Sequence, residues 1–84
     1  MSDLEFEVLD ELYFVTHFRE LLKSTGLEDN ELKPVLIKLY KKDWIRCFTE
    51  PDEEIDQKDI DLEVRFRNYY YLASKEGLMA HNNT

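Results

Sequence analysis

The largest concentration of side chains that could do chemistry is an acidic segment at residues 50–63. Eight carboxylates and one lysine give this segment a net charge of −7, against −8 for the whole chain of 84 residues. Its acids at positions 52, 54, 56 and 63 resemble the ligand spacing of a calcium-binding loop. However, Gln57 stands where such a loop requires glycine, and Asp59 stands where it has an apolar residue. The pattern therefore favours a solvated, self-repelling loop over a calcium site.

The other candidate residues lack the partners that their chemistry would need. His17 and His81 have no cysteine or paired carboxylate at the spacing of zinc ligands. Cys47 is the single cysteine, so it forms no internal disulfide, and it falls on a β-prone run with no obvious base. Gly26 and Gly77 are the only glycines, so there is no phosphate-binding glycine loop. The sequence predicts no enzyme, no catalytic residue, no metal site and no cofactor.

The composition indicates one small domain over residues 1–84. An apolar content of 43%, rich in aromatic residues, is enough to build its core. No apolar run approaches the ~18 residues of a membrane span. The acidic N-terminus has neither the basic start nor the small-residue cleavage site of a signal peptide. We therefore expect a cytoplasmic protein.

The first helix, expected over residues 4–12, has a wide apolar arc. One stripe contains Leu4, Val8 and Leu12, and a second, displaced stripe contains Phe6, Leu9 and Tyr13. A central helix with several packing partners would need such an arc. A homodimer interface on the second stripe is the alternative explanation.

Two further helices are expected before the acidic segment. Thr16 is a good N-cap for a helix over residues 17–24, which Gly26 would close. The next helix carries apolar side chains on one stripe, at i, i+3, i+4 and i+7: Leu32, Val35, Leu36 and Leu39. We favour Asn30 as its N-cap, which places Pro34 on the fourth helical position, where its missing N–H costs about one hydrogen bond. The alternative is a start at Asp29, which would place Pro34 deeper in the helix and favour a kink.

Two strands and a last helix are expected in the C-terminal half. Residues 44–50 form the first strand, and residues 62–71 the second, because Leu62, Val64 and Phe66 alternate with charged residues. Residues 51–61 would connect the strands as a long, mobile loop. Ser74 would cap a short final helix, followed by a frayed tail at residues 82–84.

Two separate motifs resemble those of a known fold family. Thr-Gly-Leu at 25–27, the leucines at 32, 36 and 39, and Asp-Trp-Ile at 43–45 are similar, without a gap, to the pattern in repressors of the MarR and PadR kinds. Tyr-Leu-Ala-Ser-Lys-Glu-Gly at 71–77 resembles the segment that ends the wing in those families. Asp43 stands where the families have glycine, and aspartate tolerates the left-handed conformation better than most residues. The resemblance implies an α+β winged helix-turn-helix: a three-helix core, a wing of two to three strands and a short C-terminal helix.

The resemblance also implies a function in transcriptional regulation. The third helix would enter the major groove of double-stranded DNA, with Asn30 and Lys33 facing the bases. The residues expected to contact phosphates are Lys38, Lys41, Arg46, Arg65 and Arg67.

The charge distribution supports an alternative partner, another protein. Asp29 and Glu31 would repel the DNA backbone from the start of the third helix, and the acidic segment would repel it from the wing. In this alternative, Pro34, Ile37 and Tyr40 form the interface, and the acidic segment selects the partner by charge.

Overall fold

The computed structural model describes residues 1–83, in which it has five α-helices and one four-stranded antiparallel sheet. The helices are α1 (Asp3–Asp10), α2 (Phe18–Thr25), α3 (Asp29–Lys41), α4 (Leu62–Arg65) and α5 (Lys75–Asn82). The strands are β1 (Thr16–His17), β2 (Ile45–Glu50), β3 (Glu53–Glu54) and β4 (Tyr70–Ala73), in the spatial order β1-β4-β2-β3. The α+β class expected from the sequence is confirmed.

One hydrophobic core joins the first three helices to the sheet. The expected stripe of α3 is fully or largely buried, from Leu32 to Leu39. It meets Val8 and Leu9 of α1, Leu21 of α2 and Tyr71 of β4 in the same cluster. Burial of these apolar side chains supplies the main stabilisation of the fold.

The starts of two helices differ from the prediction. His17 rather than Thr16 caps α2, because its Nδ1 accepts the amide of Arg19 at 3.1 Å. The expected N-cap Asn30 is also wrong, since α3 begins at Asp29. The Glu31 carboxylate accepts the amide of Glu28 at 3.0 Å and so fixes the earlier start. Pro34 therefore lies inside the helix, deeper than the first turn.

The turn from α3 into β2 has the conformation that its residue types predict. Asp43 has φ 61°, in the left-handed region, and Gly26 closes α2 at φ 72°. The start of α5 packs against this turn: Ser74 Oγ donates to the carbonyl of Asp43 at 2.6 Å and also accepts the amide of Gly77 at 3.0 Å. A Cβ on Gly77 would overlap the carbonyl oxygen of Trp44, so only glycine fits there. The two motifs that carry the resemblance therefore pack on each other.

The second strand predicted over residues 62–71 is wrong over residues 62–69 and right only at Tyr70 and Tyr71, where β4 begins. Residues 62–65 form α4, and a 3₁₀ turn over Phe66–Asn68 follows before β4 begins at Tyr70. Asp61 caps α4 by accepting the amide of Val64 at 3.2 Å. Leu62 and Phe66, four residues apart, both face the core, whereas Val64 is 72% exposed. Leu62 and Phe66 therefore share the buried face of one helical turn, and Val64 lies on its exposed face.

The connection predicted as a long irregular loop is also structured. Glu53 and Glu54 form β3 and pair with β2 in a short hairpin, and a 3₁₀ turn covers Gln57–Asp59. The expected frayed tail partly belongs to α5, which includes Asn82, while Thr84 lies outside the described residues. No helix in the described part of the chain is long and apolar enough to cross a membrane.

Candidate nucleic-acid or protein interface

Most of the residues expected to contact DNA line different grooves of the surface. Asn30 and Lys33, at the start of α3, line an open groove of about 670 Å³ whose other wall is α4 and the turn after it. Arg67 lines the same groove, together with Glu28, Asp29 and Glu63. Carboxylates from the start of α3 and from α4 therefore lie beside the basic residues of this groove.

Two ion pairs cross this groove. Lys33 Nζ lies 3.3 Å from Glu63 Oε2, and Arg67 Nε donates to Asp29 Oδ2 at 2.5 Å. Both cations also lie over the ring of Phe66, at 5.0 Å and 4.5 Å from its centroid. Lys33 and Arg67 are thus each paired with a carboxylate and an aromatic ring of the same chain.

Arg46, on β2, is held by the neighbouring strand. Its guanidinium forms a two-pronged pair with the Glu54 carboxylate of β3, with Nε donating to Oε2 at 2.8 Å. The hydrogen bond to Glu54 raises the pKa of Arg46, and the same bond lowers the pKa of Glu54. The positive charge of Arg46 is therefore balanced by the Glu54 carboxylate.

The other three expected phosphate contacts, Lys38, Lys41 and Arg65, are exposed. Lys38 and Lys41 are at the C-terminal end of α3, where cations suit the helix dipole. Arg65 lines a second cleft, of about 590 Å³, together with the acids Glu54, Asp56 and Asp59. Within residues 1–83 none of these three cations makes an ion pair.

The residues named for a protein interface have mixed exposure. Leu9 has no exposed surface, so it packs in the core and lines no interface in this structure. On α3, Pro34 is exposed and Ile37 and Tyr40 are half-buried. The pKa of Tyr40 is raised, mainly by burial and to a smaller extent by the neighbouring Cys47. The outward face of α3 therefore offers a small apolar surface around Pro34.

The other two interface residues contact the C-terminal helix. The Phe6 ring stacks on the His81 ring at 4.1 Å between centroids. The Tyr13 hydroxyl lies 2.7 Å from His81 Nδ1 and 3.0 Å from Asn82 Oδ1, and its single proton can be donated to only one of them. Sequence reasoning missed this cluster because 68 residues separate Tyr13 from His81.

Asp10 completes the cluster from the end of α1. Its Oδ1 lies 3.4 Å from His81 Nε2, which is within ion-pair distance but outside good hydrogen-bond geometry. His81 is only 9% exposed, and its Nε2 is the one buried side-chain polar atom without a hydrogen-bond partner in the described chain. Such an atom requires a physical explanation.

The remaining candidates for chemistry are structural. Cys47 is buried in β2, and burial, with a smaller effect of Glu54, raises its pKa to about 12, so the reactive thiolate is disfavoured. Among the residues that the structure describes, no group of three or more histidine, cysteine, aspartate or glutamate side chains is placed to hold a metal ion.

Comparisons with protein-family models, with curated proteins and with solved structures find no match for this chain.

Proposed function

We propose that this chain is a winged-helix variant that acts as a protein-interaction module and not as a DNA-binding domain. The fold part of the proposal is supported by the strand order: β1 pairs with β4, β4 pairs with β2, and α3 leads directly into β2. In these terms β2 and β4 are the strands of the wing. The segment between them, with β3 and α4, is an enlarged wing tip.

The observation that carries the functional part is the pairing of the cations. Three of the six basic residues that would contact DNA, Lys33, Arg46 and Arg67, are bound to carboxylates of the same chain. Release of phosphate counterions by free cations supplies most non-specific DNA affinity. A surface with half of these cations already paired, on a chain of net charge −8, gains less from such release.

The same surface suits a basic protein partner. The acidic segment 50–63 keeps six acids besides Glu54 and Glu63, with Lys58 as its only base. It adjoins the groove between α3 and α4, where the exposed Val64 adds an apolar contact. Charge complementarity of this kind selects partners and speeds their association.

The test compares two probes on the isotopically labelled protein: random-sequence duplex DNA and an arginine-rich peptide, each at low salt. We expect amide shift changes around the α3–α4 groove and segment 50–63 with the peptide, and none with the DNA. The double variant Asp56→Asn, Asp59→Asn should weaken peptide binding more than the double variant Glu7→Gln, Glu20→Gln, which removes the same formal charge elsewhere. Saturable binding of duplex DNA through α3 would show that the proposal is wrong.

A further inference from the structure

The cluster of Tyr13, His81 and Asp10 has the arrangement of an activated nucleophile. An exposed hydroxyl contacts an imidazole nitrogen, and a carboxylate lies beside the other nitrogen of the same ring. This order of nucleophile, base and orienting acid is what hydroxyl activation requires. It is independent of the surface around α3.

The hydrogen-bond partners determine which nitrogen of a neutral His81 carries the proton. If Nδ1 carried it, the bare Nε2 lone pair would face the Asp10 carboxylate at 3.4 Å, which is repulsive. With the proton on Nε2, the N–H lies near the Asp10 carboxylate without a hydrogen bond, which is electrostatically favourable, and Nδ1 can accept the Tyr13 hydroxyl at 2.7 Å. The alternative acceptor for this hydroxyl, Asn82 Oδ1, is farther away at 3.0 Å.

We propose that Tyr13 is a nucleophilic phenol that takes an acyl group from an activated acyl donor, with His81 as its general base and Asp10 as a positioning residue. The phenol oxygen attacks the acyl carbon, and its proton passes to His81 Nδ1. The bond from the acyl carbon to the leaving group breaks, and the leaving group takes the proton from His81. The products are the aryl ester of Tyr13 and the protonated leaving group.

Exposure makes this chemistry accessible at Tyr13. The side chain is 40% exposed, although the imidazole that it contacts is almost completely buried. Phe14, the next residue, is 83% exposed and provides an apolar surface for an aromatic donor. A base shielded from water next to an open nucleophile is a favourable combination for proton transfer.

Tyr70 is a matched control within the same molecule. Its ring meets the ring of His17 edge-on at 4.9 Å and 79°, much as Tyr13 meets His81 at 5.4 Å and 76°. No hydrogen bond joins the Tyr70 hydroxyl to an imidazole in the structure of residues 1–83. The two tyrosines therefore share an aromatic neighbour and differ in the base.

The experiment treats the full chain with N-acetylimidazole and follows acetylation of each tyrosine by peptide mass spectrometry. Hydroxylamine, which reverses tyrosine esters, identifies acetylation on oxygen. We expect Tyr13 to react at least about tenfold faster than Tyr70, a modest share of what a positioned base supplies in enzymes. This ratio should increase as the pH is lowered from about 9 to about 7, because His81 can take the phenol proton of Tyr13 during attack, whereas the Tyr70 hydroxyl has no base beside it.

Two variants separate the base from a structural role. His81→Phe keeps a ring to stack on Phe6 but removes the base, so the rate ratio of Tyr13 to Tyr70 should fall at least about tenfold. Asp10→Asn changes an exposed residue and should lower the ratio and flatten its pH dependence even if His81→Phe fails to fold. A ratio near one in the native protein, or a ratio that Asp10→Asn leaves unchanged, would overturn the proposal.

Discussion

Glu5 provides the sharpest test of the energetics of this fold. Its buried carboxylate accepts Lys42 Nζ at 2.7 Å and the amide of Ser2 at 3.0 Å. Burial by itself would raise the pKa of Glu5, but the hydrogen bonds from Lys42 and Ser2 outweigh it and lower the pKa to about 2. Lys42 also lies 4.6 Å above the ring of Trp44, so this contact ties α1 to the end of α3.

The expected magnitude follows from the size of the shift. A change from 4.5 to about 2 corresponds to at most about 3.5 kcal/mol, at ~1.4 kcal/mol per pKa unit. Since the Lys42 side chain is 41% exposed and water screens it, we expect Glu5→Gln to cost about 2 kcal/mol at neutral pH. Because the folded-state pKa is lowered, this stabilisation is present above pH 4.5 and disappears as the pH falls toward 2.

The assay is urea unfolding of the native chain and the Glu5→Gln variant at several pH values. The difference in their free energies of unfolding should be about 2 kcal/mol at pH 7 and should shrink steadily below pH 4.5. Glu20→Gln is the matched control, because the Glu20–Lys23 pair is largely exposed at 3.7 Å and should contribute under ~0.5 kcal/mol. A difference that stays constant from neutral to acidic pH would refute the reasoning.

Three further measurements test the fold around the sheet. Leu62→Ala should lower the free energy of unfolding by about 2–3 kcal/mol, and exposed Val64→Ala should lower it by under ~0.5 kcal/mol. Equal losses would contradict α4, because residues 62 and 64 face the same side only in a strand. Gly77→Ala should lower the free energy of unfolding by at least about 2 kcal/mol, because the new Cβ would clash with the carbonyl of Trp44. Gly26→Ala should lower it by only about 1 kcal/mol, because its positive φ is unfavourable for alanine but the space around it is open. The thiol of Cys47 should react with a disulfide reagent only as fast as the chain opens, because burial raises its pKa to about 12; rapid labelling under native conditions would contradict this.

The sequence predicts the helical core well, because local signals there agree with tertiary packing. The leucine stripe of α3, the left-handed Asp43 and the Ser74 cap are all set within a few residues of chain. Each rests on a strong local rule: helical periodicity, a residue tolerant of positive φ, or a capping side chain.

The second strand was mispredicted because a short apolar run fits two periods. Leu62, Val64 and Phe66 satisfy alternation, and Leu62 and Phe66 also satisfy the i, i+4 spacing of one helical turn. The Asp61 side chain, which caps α4, favours the helix over the strand. A helix of four residues is too short for its periodicity to be recognised in the sequence. The ion pairs of Lys33, Arg46 and Arg67 were equally hidden, since their acids follow from tertiary pairing across 8 to 38 residues.

The acidic segment has a structural role as well as a charge. Glu54 pairs with Arg46 on β2, and Glu63 pairs with Lys33 on α3, so two of its eight acids hold the segment against the rest of the domain. The other acids have no ion-pair partner among the described residues. The segment also contains β3 and the start of α4, so it is not an irregular loop. A segment whose backbone is held by β3, α4 and these two ion pairs would lose less entropy on binding the basic partner that we propose than an irregular loop would.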